Sequence, residues 1–394
     1  MTRVGILGGG QLALMLAESF VALGVDVAIY DPDADAPARR RYALGDSRPY
    51  EDRDALRRFL DACDVVTYEF ENVPAAAIRA AKSRTPIFPS LAVLEACQHR
   101  THEKEAITRA GAPTVAFVSL PERSQLRAAL AAFGFPAVVK TAAGGYDGKG
   151  QRTYRSVAEL RDTDFPADVP LVVEERVTIE RELSCIVARR GTEVVCLPIF
   201  ENHHTAHILD VTLCPAPISP SLAKKAQALA RKVAIALDVE GLITVELFVA
   251  RGRAGHGVAL PGTTARLYVN ELAPRPHNSG HVSRVACDWS QFDLHARAVL
   301  GMKLPTPRLV VDGTAFMANL LGDRWPKPSA AMSTFGRLAT QPGVREVYLY
   351  GKREARPGRK MGHVLGVARS PTAAHTKASA LRSRAGLSGP RPIR

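Results

Sequence analysis

Two apolar stretches of the sequence each carry a glutamate where a strand would bury it. Residues 243–248 read ITVELF and residues 267–272 read LYVNEL, so Glu246 and Glu271 stand inside apolar runs, with Asn270 beside the second. A charge inside an apolar strand needs a partner. The Gly-rich residues 251–265 between the runs read as a long hairpin loop, which places the two carboxylates on adjacent strands. Such a pair repels unless a cation lies between them, and Mg²⁺ prefers all-oxygen ligands of this kind. The plainer alternative is a buried glutamate paired with an arginine. The next residues, Ala273-Pro274-Arg275-Pro276-His277-Asn278-Ser279-Gly280-His281, have no hydrophobic period and are dense in side chains that hold anions. Loops of that kind carry function more often than cores do.

A second constellation lies at residues 138–151, VVKTAAGGYDGKGQ. A short strand ends in Lys140, and Gly144, Gly145, Gly148 and Gly150 then surround Tyr146, Asp147 and Lys149. Glycines let backbone approach a ligand, and successive N–H groups cradle phosphate oxygens. Lys149 and Lys140 add point charges. The spacing is not that of a P-loop, so the segment reads as a flap between two strands over a nucleotide; the alternative is a hairpin turn with exposed lysines.

At the N-terminal end, Arg3–Leu7 reads as a strand, residues 11–23 as a helix and residues 25–30 as a second strand, a βαβ start. Gly8, Gly10 and Ala13, with Asp31 further on, satisfy a dinucleotide fingerprint, which makes an NAD-dependent oxidoreductase a rival. Any βαβ unit favours glycine there, and the helix N-terminus binds any phosphate. Glu69 and Glu71 follow the strand Val65–Tyr68, where open α/β sheets bind ligands, or else open a solvated helix. A helix is expected from Cys97 to Ala110, strands over Leu171–Glu175 and residues 180–187, the latter alternating as a half-buried strand does, and helices over residues 221–237 and 291–300.

The 394 residues suffice for two or three domains. No apolar run approaches the roughly 20 residues of a membrane span, and the N-terminal apolar segment is better explained as strand, turn and helix than as a secretion signal. Six cysteines without C-x-x-C spacing suggest reduced thiols and a cytoplasmic home. The net charge of +13 raises nucleic-acid binding, but the arginines are spread along the chain without a dense basic helix or stacking motif. A pocket for phosphorylated substrates and an Ala/Arg-rich bias are the competing explanations.

In order, the chain carries GGGQL (8–12), TYEFENVP (67–74), the glycine loop (138–151), ERELSCIV (180–187), PIFENHH (198–204), VELF (245–248), VNELAPRPHNSGH (269–281), YGK (350–352) and GRKMGH (358–363). Together they resemble the 5-(carboxyamino)imidazole ribonucleotide synthetase family of ATP-grasp enzymes, of bacterial purine biosynthesis, over residues 3–367. The resemblance implies an α/β (α+β) ATP-grasp fold: a Rossmann-like βαβ domain at 1–95, a small ATP-grasp domain with the flap at 96–177, a large one at 178–303 and a β-rich lobe at 304–372. A loosely held tail is expected at 373–394.

It also implies that ATP and bicarbonate carboxylate 5-aminoimidazole ribonucleotide through carboxyphosphate. Arg100 and Lys140 then resemble ATP contacts, Gly145 through Gln151 the flap (Gly145, Tyr146, Asp147, Gly148, Lys149, Gly150, Gln151), and Glu174, Glu175, Arg176 and Val177 the hinge that reads adenine by its backbone. Glu182 resembles the ribose carboxylate and His204 a nucleotide contact. Glu246 and Glu271 would hold Mg²⁺, with Asn270 beside them. Arg275 and His277 resemble groups holding bicarbonate and the acyl phosphate. Tyr146, Asp147, Lys352, Arg359 and Glu71 resemble ribonucleotide contacts, with Glu69 a nearby alternative, and Lys352 counts with Arg275 and His277 as catalytic. The glycine turn would hold the ribose phosphate, with Gln11 close by.

The chain departs from the family at Ala13-Leu14, where Gly-Arg is usual, at His99 in place of an aspartate, and in the longer loop 251–265. Rivals are a formate-dependent glycinamide ribonucleotide ligase, the NAD enzyme and a nucleic-acid binder. The general prior for oligomers adds a homodimer.

Overall fold

The computed structural model of the chain describes residues 2–144, 150–252, 256–384 and 387. The first unit is a parallel sheet of β1 (Arg3–Leu7), β2 (Asp26–Tyr30), β3 (Gly45–Asp46) and β4 (Val65–Tyr68), in the order β3-β2-β1-β4. Its strands are near-continuous apolar runs because helices cover both faces. These are α1 (Gln11–Ala22), α2 (Pro37–Arg41), α3 (Arg53–Asp61) and α4 (Ala75–Ala80). Leu12, Met15, Leu16 and Phe20 of α1 pack on Val4, Ile6, Val27 and Ile29.

The helix expected to run from Cys97 to Ala110 is broken in two. α5 (Leu91–Gln98) and α6 (Arg100–Arg109) are separated by His99, which is extended (φ −128°, ψ 116°). The Arg100 N–H donates to Ala142 O at 2.7 Å, across to the next sheet, instead of continuing α5. That sheet is antiparallel: β5 (Phe117–Leu120), β6 (Ala137–Thr141), β7 (Gln151–Tyr154) and β8 (Leu171–Glu175), in the order β5-β8-β6-β7, with α7 (Leu126–Phe133) against it.

The large sheet begins with β9 (Thr178–Arg190), β10 (Glu193–Cys196), β11 (Phe200–Thr205) and β12 (Ile208–Cys214). After α8 (Pro220–Ala236) it adds β13 (Gly241–Arg251), β14 (Val258–Ala259) and β15 (Arg266–Ala273). The short α9 (Ser283–Ala286) and α10 (Gln291–Val299) follow. The half-buried alternation expected of β9 gives way to continuous burial from Leu183 to Ala188. Leu183, Cys185 and Val187 meet Ala226, Ala230 and Val233 of α8, while Ile186 and Ala188 meet Leu294 and Ala298 of α10, so both faces are covered.

The C-terminal strands β16 (Thr314–Leu321), β17 (Val344–Leu349) and β18 (Lys360–Ala368) continue this same sheet. Its order is β14-β15-β13-β9-β11-β12-β16-β18-β17, with β10 on β9. Hydrogen bonding therefore runs unbroken from the segment drawn as the large ATP-grasp domain into the one drawn as a separate lobe. α11 (Pro328–Ala339) packs beside β17, and α12 (Pro371–Arg384) is the last element among the described residues. The tail expected to be loosely held is a docked helix as far as it is described. Ala374, Ala378, Leu381 and Leu387 are buried against Phe316, Leu320 and Val364, and Arg382 pairs with Asp210. Polar composition hid this, because the buried residues Ala374, Ala378 and Leu381 recur only every three or four positions among small and polar neighbours. No helix among the described residues is long and apolar enough to cross a membrane.

Candidate active site

The two strand glutamates face each other. β13 and β15 pair antiparallel with Glu246 directly opposite Glu271, and the register then shifts so that Leu247 opposes Val269. Asn270 is the extra residue of a β-bulge. Bulges re-aim side chains, and here both Asn270 and Glu271 are half-buried while Val269 and Leu272 on either side are buried. Strict alternation could not place two consecutive polar residues this way.

The pair does not require a divalent ion merely to coexist, contrary to the sequence argument. Glu246 Oε1 lies 3.0 Å from His277 Nε2, and Glu271 Oε2 lies 3.5 Å from an Arg100 guanidinium nitrogen. Burial would raise the Glu246 carboxyl, but the His277 hydrogen bond and charge outweigh it and bring it below the usual range. Among the described residues no three His, Cys, Asp or Glu side chains form a metal cage. An oxygen set of two carboxylates and one amide does fit Mg²⁺, which commonly takes one or two protein carboxylates and completes its shell with phosphate oxygens and water.

The loop after β15 is pinned from below. His277 N–H donates to Gln291 Oε1 at 2.8 Å, and Gln291 Nε2 donates back to His277 O at 2.7 Å. Gln291 is fully buried, and a Cβ at Gly280 would collide with its amide, so only glycine fits there. Arg275 forms an ion pair with Glu71 and also donates to Pro276 O at 2.9 Å. Burial alone would raise Glu71, yet the Arg275 charge brings it down to about 2.

Glu69 and Glu71 have separate fates. Glu69 is buried and accepts from Gly10 N–H (2.9 Å) and Ala13 N–H (3.2 Å), while Asp31 accepts from Gly9 N–H at 2.6 Å. The glycine turn expected to hold the ribose phosphate is thus occupied by two carboxylates of the chain itself. The same amides are those an NAD pyrophosphate would need, so the dinucleotide fingerprint loses its support. The positive end of α1 has attracted an internal anion. Gln11 reaches away from the turn, its Nε2 3.5 Å from Asn278 Oδ1.

On the nucleotide side, Lys140 Nζ lies 2.8 Å from Glu174 Oε2, and Lys104 Nζ lies 3.3 Å from Glu174 Oε1. Burial opposes ionisation of Glu174, but Lys104, Lys140 and Arg100 together bring it down to about 2. The Glu174 side chain therefore positions lysines. Two hinge amides are used within the small sheet: Glu175 N–H donates to Ala116 O and Arg176 N–H to Pro136 O. Val177 follows them into β9. Glu182 and His204, on neighbouring strands, meet at 2.8 Å. Burial lowers the His204 imidazole, but the Glu182 carboxylate outweighs it and raises it overall. Gln151 opens β7 opposite Lys140, and Gly150 O accepts from Thr141 N–H. Gly145, Tyr146, Asp147, Gly148 and Lys149 lie outside the described residues.

At the far end, Lys352 Nζ donates to Lys360 O at 2.9 Å and lies 5.4 Å from the Tyr350 ring centroid. Burial, then the Arg359 charge, brings Lys352 down to about 8, with Glu69 pulling the other way. Arg359 donates to Glu354 O.

Sequence reasoning missed Lys104 and Glu103. Both are buried on α6, and Glu103 Oε1 accepts from Leu272 N–H at 2.6 Å, tying α6 to the bulged strand. Burial and the nearby Glu271 push Glu103 up to about 8. The signal was the spacing Arg100, Glu103, Lys104, which aligns on one helix face.

Residues 1–98 match a ribonucleotide synthetase preATP-grasp domain, 105–292 an ATP-grasp domain, and 315–377 a phosphoribosylaminoimidazole carboxylase C-terminal domain. N5-carboxyaminoimidazole ribonucleotide synthases of Staphylococcus aureus and Bacillus subtilis are each 35% identical over 363 residues, which is 92% of this chain and 91% and 90% of theirs. The solved structure of an N5-carboxyaminoimidazole ribonucleotide synthetase with ADP aligns with a TM-score of 0.85 at 35% identity, covering 97% of this chain and 96% of the other. The Aspergillus clavatus synthase, in complex with ADP and 5-aminoimidazole ribonucleotide, aligns with a TM-score of 0.83 at 30% identity, covering 98% of each. With these matches over nearly its whole length, the chain belongs to the N5-carboxyaminoimidazole ribonucleotide synthase family of ATP-grasp enzymes.

Proposed function

We propose that this protein uses ATP and bicarbonate to carboxylate the amino group of 5-aminoimidazole ribonucleotide, forming the N5-carboxylated nucleotide, ADP and phosphate in purine biosynthesis. One observation carries the reading. Arg275 and His277 lie on a single pinned loop, joined to Glu71 on one side and to Glu246 on the other. The phosphoryl-transfer end and the acceptor end of the site therefore share two adjacent anion-holding side chains.

A bicarbonate oxygen attacks the γ-phosphorus, the bond to the ADP oxygen breaks, and carboxyphosphate results. The substrate nitrogen then attacks its carbonyl carbon, phosphate leaves, and the nitrogen loses a proton. Bicarbonate is a weak nucleophile, so positioning and charge neutralisation dominate the first step. Arg100, Lys140 and the flap lysine Lys149 are assigned to the phosphates, Glu182 and His204 to the ribose side, and the hinge from Glu174 to Val177 to adenine. Glu246, Glu271 and Asn270 would hold Mg²⁺, which supplies positive charge against the phosphate oxygens when bound. Arg275 and His277 hold the anionic acyl group, and Glu71 orients Arg275 and faces the amine. Lys352 and Arg359 bind the ribose phosphate in place of the glycine turn. Tyr146 and Asp147 are assigned to the ribonucleotide.

The C-terminal family match and the named relatives favour this reaction over formate-dependent ligation of glycinamide ribonucleotide. We assign the protein to the cytoplasm as a homodimer, the second point to be read by sedimentation. Phosphate release with ATP, bicarbonate and aminoimidazole ribonucleotide, each omitted in turn, tests the function. Turnover that persists without the ribonucleotide, or that requires formate, overturns it.

A further inference from the structure

Behind His277 a chain of buried hydroxyl and amide groups crosses three strands. Thr212 Oγ1 donates to Asn202 Oδ1 at 3.1 Å, and Asn202 Nδ2 donates to Ser184 Oγ at 3.1 Å. Ser184 Oγ lies 3.0 Å from Ser279 Oγ, which lies 2.8 Å from His277 Nδ1. Thr212, Ser184 and Ser279 are fully buried, and Asn202 is nearly so. Buried polar groups of this kind form a network because leaving any one unpaired is costly.

The direction of every proton in the chain is fixed at one end. The backbone N–H of Ser279 also points at His277 Nδ1, at 3.4 Å. A backbone amide can only donate, so Nδ1 accepts. With Nδ1 an acceptor, the Ser279 proton goes to His277 Nδ1. The Ser184–Ser279 bond is then made with the Ser184 proton, and Ser184 Oγ also accepts from Asn202. The remaining ring proton sits on Nε2, which faces Glu246 Oε1 at 3.0 Å.

Resting on the carboxylating reading above, we infer that Thr212, Asn202, Ser184 and Ser279 are positioning residues that lock His277 as an Nε2–H hydrogen-bond donor. The anionic bicarbonate and acyl-phosphate oxygens are held by a donor and repelled by a lone pair. In the other tautomer, Nε2 would turn a lone pair towards both these oxygens and Glu246. Removing one link weakens the lock: without the Ser279 hydroxyl, Nδ1 keeps only the longer amide contact, and a group at position 202 that can only accept would draw the Ser184 proton away from Ser279.

The test uses the full chain labelled with ¹⁵N-histidine, His277 being assigned by the signals lost in His277→Gln. At pH 8 the long-range ¹⁵N–¹H spectrum of the wild type is expected to show a single Nε2–H tautomer at this residue. In Ser279→Ala it is expected to become a mixture. There kcat is expected to fall about tenfold or more, as when a histidine loses its orienting partner, with the KM for ATP little changed. Asn202→Asp, which can only accept from Ser184, is expected to move the tautomer in the same direction by less. If Ser279→Ala does not fold, the wild-type and Asn202→Asp spectra carry the test. A wild-type His277 protonated on Nδ1, or an Asn202→Asp spectrum identical to wild type, overturns the inference. The tautomer is read without turnover, so the expected spectra in a chain inactive on aminoimidazole ribonucleotide support the relay and overturn only the functional reading.

Discussion

Glu71 and Arg275 stand 204 residues apart in sequence and form an ion pair that joins the first parallel sheet to the loop following β15. Glu71 falls from its ordinary 4.5 to about 2 in the fold. A carboxyl lowered on folding stabilises the fold fully above 4.5, and that contribution is lost as pH falls towards 2. Glu71→Gln is therefore expected to flatten the acid limb of the melting-temperature curve between pH 4.5 and 2. Arg275→Met is expected to lower Tm and, on the proposed role in holding the reacting oxygens, to reduce kcat by about a hundredfold or more. The double variant recovers Tm but not kcat. Equal recovery of both would make Arg275 a structural residue only.

Glu271 is a separate case because its side chain is 45% exposed. Glu271→Gln is expected to leave Tm within a degree or two of wild type and to cut phosphate release by about 10²-fold or more. Stripping divalent ions with a chelator is expected to have the same effect on the wild type, reversed by added Mg²⁺. Near-normal kcat in Glu271→Gln removes the metal assignment.

Lys352 gives the site a basic limit. Its ammonium, brought down to about 8, is half lost at that pH, so the KM for the ribonucleotide is expected to climb above pH 8 by up to about tenfold per pH unit while the KM for ATP stays level. Lys352→Arg, always charged, is expected to abolish this rise. The stability slope has the same sign as that of Glu71. The folded value lies below the ordinary 10.5, so the fold gains stability as pH rises from 8 to 10.5. A flat KM profile for the ribonucleotide would remove Lys352 from the phosphate site.

The final helix offers a test away from the chemistry. Leu381 is 3% exposed against the β16 side of the large sheet. Leu381→Ala is expected to destabilise the fold by about 2–4 kcal/mol with both KM values unchanged, as measured by denaturant melts and steady-state kinetics.

Much of this was readable from residue patterns. The βαβ start, the apolar strands bearing Glu246 and Glu271, and the polar loop 273–281 follow from period and composition, because burial on both faces or one leaves a direct trace. Three features left no such trace. The bulge at Asn270 is a register event, decided by the partner strand. The capping of α1 by Glu69 depends on two segments 59 residues apart meeting in space. The break at His99 follows from an amide, that of Arg100, finding a carbonyl in another sheet. Each is a tertiary contact that overrides a local preference.

Strands β13, β9 and β18 belong to one hydrogen-bonded sheet, so Glu246, Glu182 and the Lys352–Lys360 contact are fastened to a common frame. On the proposed assignments, the span between the carboxylates offered to Mg²⁺ and the cations offered to the ribose phosphate is therefore a fixed gauge that admits one length of acceptor. Any adjustment of the cleft to nucleotide must come from the four-stranded sheet bearing Lys140 and Gln151, which makes that sheet the jaw and the ten-stranded sheet the anvil.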